Sequence, residues 1–254
     1  MKFILIIFIF CLIFTSYSYA FEFAVIGDSE GYDGIPSITA LLLNKIYSTS
    51  ANFIIHLGDF INSWEGNELE LVKKQFSSSP IPIYFVPGNN DISKDGGKNF
   101  KDFTGRPLYY YFDFENARFI ILNNALGRLG EEQINWLKEV LSSSGDKVKF
   151  VFMHRPLVLP PILEFFRRFY PYLGHDLKET KILMDLFERE KVKYVFSGHI
   201  HLYFRKRVGN VTYIISGSGG SIPHTSIYEA GNPHFILIEV NDKIIDKKIT
   251  LDDL

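Results

Sequence analysis

The chain has almost no cysteine. Cys11 is the single thiol in 254 residues, so no disulfide can form within the chain, and a metal site built on several thiolates is excluded. No block of five or six like charges occurs, and 27 basic residues against 29 acidic ones leave a net charge of −2. Nucleic acid as a main partner is therefore disfavoured, because its phosphates call for a basic patch. There is also no apolar run of the roughly twenty residues that a membrane-crossing helix needs. The longest, Phe3 to Phe14, covers about twelve. Internal repeats, low-complexity tracts and linkers are absent.

That short run follows Lys2 and leads into Ser18-Tyr19-Ala20, the order of charge, apolar stretch and small residues that marks an export signal. Residues 1–20 are expected to be a signal peptide and residues 21–254 one domain, placed in the periplasm, at the cell surface or outside the cell. Membrane attachment is expected only if the segment is retained as an anchor. A lipid anchor on Cys11 does not fit, since Phe10 precedes it where such sites want a small residue. Removal of 20 from 254 residues leaves 234, enough for a full core in one domain. Lys2 and Cys11 leave with the signal, giving 26 basic against 29 acidic residues, no cysteine, and an expected monomer.

Along the chain, apolar runs alternate with helix-period segments. Phe23 to Ile26, Phe53 to Leu57 and Pro82 to Val86 read as strands, separated by helices over Pro36 to Tyr47 and Glu65 to Phe76. This βαβ order implies parallel strands buried on both faces. Tyr109 to Phe114 and Arg118 to Leu122 flank a short turn and predict a hairpin, hence mixed sheets. A helix Glu131 to Leu141, a strand Lys147 to Met153, an aromatic and proline-rich excursion Pro156 to Gly174, a helix Leu177 to Glu190 and a strand Val192 to Ser197 follow. The remainder reads as strand: Tyr203 onward, Val211 to Ile215, Phe235 to Val240 and Lys243 to Thr250.

Five of the apolar runs end in the same manner. They pass directly into Asp28, Gly58-Asp59, Gly88-Asn89-Asn90-Asp91, His154, and Gly198-His199-Ile200-His201. In open α/β sheets the carboxyl ends of several strands converge, so groups placed there reach one point. With Glu30, these residues form a set of carboxylates, one amide oxygen and three imidazoles, which suits two divalent cations of the Mn, Fe, Zn or Mg type. A pair of such cations sharing a carboxylate and a bridging hydroxide clamps a phosphate ester and stabilises both attacking and departing oxygens.

The five segments resemble the signature of the calcineurin-like metallophosphoesterases, a family that includes purple acid phosphatases: D-x-H, G-D-x-x-D, G-N-H-D/E, a lone His, then G-H-x-H. The counterparts are Asp28-Ser29-Glu30, Gly58-Asp59-Phe60-Ile61-Asn62, Gly88-Asn89-Asn90-Asp91, His154 and Gly198 to His201, over about residues 22–222. The resemblance implies a four-layer α/β/β/α sandwich of two mixed sheets. It also implies that the chain hydrolyses phosphate mono- or diesters of small molecules. By the same resemblance, Asp28, Asp59 and His201 hold one metal, while Asp59, Asn89, His154 and His199 hold the other. Glu30 is a further candidate ligand, and Asn90, Asp91 and Arg155 are the candidate catalytic residues. The glycine-rich Ser216 to Gly220 matches a loop that follows the last motif and lets backbone approach the site.

Three positions depart from the pattern. Glu30 replaces a histidine, which makes the shell richer in oxygen and favours Mn, Fe or Mg over Zn. Asn90 replaces the histidine that contacts phosphate and helps protonate the leaving group; an amide bonds phosphate but supplies no proton near neutral pH. Asn62 replaces the second Asp of its motif. Arg155 is expected either to grip a phosphate oxygen or to form an ordinary loop salt bridge. Asp28 and Asp59 have an alternative reading as helix caps, Glu30 as a solvated turn residue, and His56, inside a strand, as a hydrogen-bonded core residue. His175 and His224 are candidates for substrate contact. The cluster Phe165, Phe166, Phe169, Tyr170 and Tyr172 is expected to pack a lid against the body, the alternative being that it grips an organic leaving group. Two other functions compete. Gly27-Asp28-Ser29 and Gly88 to Asp91 resemble blocks of SGNH-type serine esterases with Ser29 as nucleophile, though no D-x-x-H occurs to supply a base. The other is a non-catalytic binding protein on the same fold.

Overall fold

The computed structural model describes residues 20–30, 37–92, 95–220 and 232–252. The expected export signal, Cys11, Pro36 and His224 lie outside the described residues. The alternation begins with β1 (Phe21–Ile26), α1 (Ser37–Tyr47), β2 (Ala51–His56), α2 (Gly66–Ser77) and β3 (Ile83–Phe85). Two short helices follow that the hydrophobic spacing does not announce, α3 (Asn89–Ile92) and α4 (Lys98–Thr104). The hairpin is β4 (Tyr110–Phe114) with β5 (Ala117–Ile121). After α5 (Glu131–Ser142) and β6 (Val148–Phe152), the excursion folds into α6 (Pro161–Arg167) and a 3₁₀ turn at Pro171–Leu173. The chain ends with α7 (Leu177–Arg189), β7 (Tyr194–Ser197), β8 (Tyr203–Val208), β9 (Val211–Ser216), β10 (His234–Val240) and β11 (Ile244–Thr250).

The strands form two mixed sheets. One runs β11-β10-β1-β2-β3, with β1, β2 and β3 parallel and β10 and β11 added antiparallel. The other runs β4-β5-β6-β7-β9-β8, in which β5, β6, β7 and β9 are parallel between antiparallel edges. Period-two alternation builds the layers. Phe21, Phe23 and Val25 of β1 face Phe119, Phe150, Phe152 and Phe196 of the second sheet across the centre. Ala24 and Ile26 face outward onto Leu42, Leu43 and Ile46 of α1. On the other outer side, Ile120 and Val151 meet Leu137 of α5 and Leu183 and Phe187 of α7. The result is the expected α/β/β/α order.

Along the edge formed by β11 and β8 the sheets are clamped together. Asp246 on β11 accepts from Arg205 Nε and Nη2 at 2.7 and 2.8 Å and from the Tyr194 hydroxyl at 2.7 Å, and a two-pronged pair of this kind fixes geometry as well as charge. The carboxyl ends of β1, β2, β3, β6 and β7 leave five loops side by side. Among the described residues, no helix is long and apolar enough to cross a membrane.

Candidate metal centre

Backbone hydrogen bonds zip the first two loops together. The Asp28 N–H donates to Gly58 O at 3.0 Å, and the N–H groups of Ser29 and Glu30 donate to Asp59 O at 2.9 and 3.2 Å. Asp28, Asp59 and His199 all adopt left-handed backbone, with φ of 54°, 50° and 68°. Such angles cost an L-residue about 1–2 kcal/mol each and are tolerated best by Asp, Asn and His. Strain of this sort persists where the surroundings over-determine it, and here it turns each side chain inward from its strand end. Gly88 permits the third loop to close: a Cβ there would overlap the backbone nitrogen and Oδ1 of Asp59. The helix-cap reading of Asp28 and Asp59 does not describe what they do, since their carboxylates bond within the cradle.

The ligand atoms gather in two groups. Asp59, His154 and His199 form one and Asp28, Glu30 and His201 the other, with donor atoms in each lying within 4.8 Å of one another. In the first, His154 Nε2 stands 3.3 Å from Asp59 Oδ2, 3.1 Å from Asn89 Oδ1 and 3.2 Å from His199 Nδ1. In the second, His201 Nε2 lies 3.6 Å from Asp28 Oδ1 and 3.5 Å from Glu30 Oε1. The His199 N–H donates to both Asp28 oxygens at 2.9 Å, joining the groups.

Tautomers show what the first group is set up to hold. His154 Nδ1 lies 2.9 Å from Leu57 O and His199 Nε2 lies 2.7 Å from Tyr172 O. A carbonyl only accepts, so those nitrogens carry the protons. The opposite nitrogens, which face each other at 3.2 Å, are the ones turned toward a cation, which would take the place of the proton that His154 holds in the metal-free protein. In the second group Glu30 Oε2 is buried with no hydrogen-bond partner, and its side chain is largely enclosed, unlike a solvated turn carboxylate. The residues thus fit two divalent metals.

Electrostatics agree. Burial first, then the charge of Asp59, pushes the Asp28 carboxyl well above the ordinary range, against the pull of His154. Burial and then Asp28 do the same to Glu30. For Asp59, burial pushes upward, but the His154 charge and hydrogen bond outweigh it and hold the carboxyl below its ordinary value. His154 is raised to about 9, its own burial being outweighed by Asp59 and Asp28. Burial, followed by the charge on His154, lowers His199 to about 3. Crowded anions that shed protons reluctantly are what a cation relieves.

The remaining expected residues divide. Asn89 points its oxygen at His154 while its Nδ2 donates to Asn90 Oδ1 at 3.0 Å, which fixes the orientation of both amides. Asp91 is displaced from the catalytic role expected of it. Fully buried, it accepts from the N–H groups of Gly88, Asp59 and Phe60 at 2.7, 2.9 and 3.1 Å and so pins two loops. Burial and the Asp59 charge push its carboxyl up to about 8. Arg155 makes two backbone contacts: its Nε donates to Ala125 O and its Nη1 to Tyr172 O, both at 2.7 Å, tying the excursion to the site.

His175 is buried and touches no open surface. It meets Asn124 Nδ2 at 3.2 Å and Glu179 Oε2 at 3.0 Å, and Asn124 Oδ1 in turn accepts from His154 N and Arg155 N at 2.9 and 3.0 Å. This chain from Glu179 to the His154 loop supports a ligand. Motif spacing gives no hint of it, because Asn124 stands 30 residues from His154 and 51 from His175. His56 is the core residue expected. It accepts from Gly58 N at its Nδ1, 3.2 Å away, so the Nε2 that lies 2.8 Å from Ser29 Oγ bears the proton. Ser29 is offered a donor where a nucleophile needs a base, which removes the serine-esterase reading.

The family model for calcineurin-like phosphoesterases matches residues 21–203. The chain belongs to that family. Among its relatives, the human serine/threonine-protein phosphatase CPPED1 is 27% identical over 235 residues, covering 84% of this chain and 71% of the human protein. A protein of Fibrobacter succinogenes named as a probable cyclic nucleotide phosphodiesterase is 21% identical over 214 residues, covering 78% of each chain. In fold, the yellow lupin purple acid phosphatase PPD1 superposes with a TM-score of 0.71 at 16% identity, covering 93% of this chain and 52% of the lupin chain. As a calcineurin-like phosphoesterase, the protein is a hydrolase of phosphoric esters that presents two groups suited to divalent metals.

Proposed function

We propose that the protein is an exported phosphatase or phosphodiesterase that uses a pair of divalent cations to hydrolyse small phosphate esters. The observation that carries this reading is the meeting of two adjoining donor triads at the ends of β1, β2, β6 and β7, with Asn89 beside them from the end of β3. Bound cations supply Lewis-acid polarisation of the phosphoryl group and acidify the attacking water. The chain's own residues set the rest. Asp59, its Oδ1 held by Asn90 N at 2.8 Å, belongs to the first group, and by the family resemblance it is the carboxylate that both cations would share. Asn90 keeps its Nδ2 as a donor for a phosphate oxygen and has no proton to give the departing oxygen. The favoured substrates are therefore esters with good leaving groups. The oxygen-rich second group favours Mn, Fe or Mg.

Export rests on the signal-like order of residues 1–20, and β1 begins at Phe21, so cleavage after Ala20 removes nothing from the sheet. Metal analysis of the purified protein, followed by hydrolysis of aryl phosphate mono- and diesters with added Mn, with and without chelator, tests the function. Two equivalents of metal and chelator-sensitive turnover are expected. Bound metal without turnover would turn the reading toward the non-catalytic binding protein. N-terminal sequencing of the exported protein is expected to begin at Phe21.

A further inference from the structure

Beside the two triads lies a cavity of about 410 Å³ lined by Leu163, Tyr172, Leu173, His199, Ile200, His201 and Leu202. Its position is decided by two of these. His199 belongs to one triad and His201 to the other, so the imidazoles that face the cations also form one wall. A phosphate lying across both triads has the mouth of this cavity within reach of its organic group.

The other walls are apolar. Leu163 comes from α6, Leu173 from the 3₁₀ turn, and Ile200 and Leu202 from the metal loop itself, where both are buried. No Asp, Glu, Lys or Arg lines the cavity, and among the described residues its polar side chains are Tyr172 and the two histidines at the metal end. The walls are also fixed. Tyr172 O receives hydrogen bonds from Arg155 Nη1 and His199 Nε2, both at 2.7 Å. The buried guanidinium of Arg167 donates to Leu157 O at 3.0 Å, holding α6 down. A preformed, apolar cleft of a few hundred Å³ with polar groups at one end is the form of a ligand site, and little ordering opposes its filling. Contrary to the packing role expected of them, Phe165 and Phe169 stay 58% and 67% exposed. Leu163 and Leu173 make the contact with the body instead, which leaves an aromatic outer surface on the excursion.

We infer that the substrate's phosphate carries an apolar organic group, alkyl or aryl, which enters this cavity while the phosphate rests on the triads. The inference rests on the phosphoesterase reading and adds the substrate class to it. In the reaction the oxygen of water bonds to phosphorus and the water gives up a proton to solvent, the P–O bond to the leaving group breaks, and the departing oxygen takes up a proton from solvent.

The test is a series of 4-nitrophenyl alkyl phosphate diesters, methyl to hexyl, assayed with the Mn-loaded protein. Each added methylene that enters the cavity contributes about 0.8 kcal/mol, so kcat/KM is expected to rise about three- to fourfold per methylene until the cavity is full. In Leu163→Asp the hexyl-to-methyl ratio is expected to fall toward one. Calorimetric binding of hexylphosphonate against methylphosphonate needs no turnover and is expected to favour hexyl by more than tenfold. Equal rates along the series, or equal phosphonate binding, would overturn the inference. If no ester is hydrolysed at all while hexylphosphonate still binds better, the phosphoesterase reading fails and the apolar site stands. A parallel arm with a long-chain alkyl 4-nitrophenyl phosphate in phosphatidylcholine vesicles separates the sources. Faster turnover there than in solution assigns a lipid ester, and the reverse assigns a free one.

Discussion

Strand β1 and the loop that ends it pass through two unlike environments within five residues. At Phe23 it is fully buried in the sandwich centre, stacked on Phe53 with ring centroids 5.5 Å apart and edge-on to Phe119 and Phe150 at 5.1 and 5.2 Å. At Asp28 it is equally buried, yet the backbone is left-handed and the carboxyl crowds against other acids. The first region gathers favourable area and aromatic contact. The second gathers strain and like charge that only a cation makes favourable. Rigidity from one supports unfavourable geometry in the other, and substitutions separate the two.

The largest effect is expected from Asp59→Ala. Removing this candidate bridging carboxylate abolishes tight metal binding and lowers kcat/KM by about 10³-fold or more, because several kcal/mol of transition-state stabilisation come from the cations. Metal stoichiometry and kinetics on the same preparation check this, and His199→Ala is expected to behave alike. Full activity in either would refute the ligand assignment. The mirror experiment is Phe23→Ala, which empties the sandwich centre and is expected to destabilise by about 3–5 kcal/mol in urea unfolding. The variant should keep the metal stoichiometry of the wild type, since no ligand touches Phe23. Loss of metal from folded Phe23→Ala would mean the two regions are not separable.

The sandwich was legible in the sequence because both of its layers leave periodic traces. Phe21, Phe23 and Val25 alternate with Ala24 and Ile26 because one strand serves two cores. Most of the candidate ligands are legible because they stand just beyond the end of an apolar run. What stayed hidden has no local period. Helix α4 lies between Gly97 and Gly105, both left-handed, with only Phe100 fully buried, too short a repeat to read. Asp91 was misplaced among catalytic residues since its motif neighbours are ligands, whereas its three N–H partners come from two loops. Asn124, His175 and Glu179 were invisible as a set because hydrogen bonds between distant loops follow no spacing.

That hidden set defines a middle case, neither cradle nor core. Asn124→Ala removes the amide that receives His154 N and Arg155 N, so His154 keeps its chemistry and loses its fixed position. Supports of metal ligands are worth about 10–100-fold in affinity or activity. The expected signature is a drop of that size in metal affinity, seen by competition with a chelator, while saturating metal restores most of kcat. Affinity equal to that of the wild type would show that the loop holds itself.

The smallest effect has the opposite sign and tests the comparison most directly. In the metal-free protein, Glu30 is held well above its ordinary value of 4.5 by burial and then by Asp28. The folded chain therefore keeps a proton that the unfolded chain releases, and metal-free stability falls as pH rises above about 4.5 until the folded-state pKa is passed. Glu30→Gln removes that contribution. In chelator at pH 7.5 the variant is expected to melt higher than the wild type by roughly 2–4 °C, the shift that about 1 kcal/mol produces in a domain of this size. The difference should shrink at pH 5, where the unfolded chain retains more of its proton. With metal present the order reverses, since the variant has lost a ligand and gains less from binding. A metal-free variant no more stable than the wild type at pH 7.5 would show that the cradle carries no such penalty. Strand ends and sandwich centre would then differ in chemistry but not in stability.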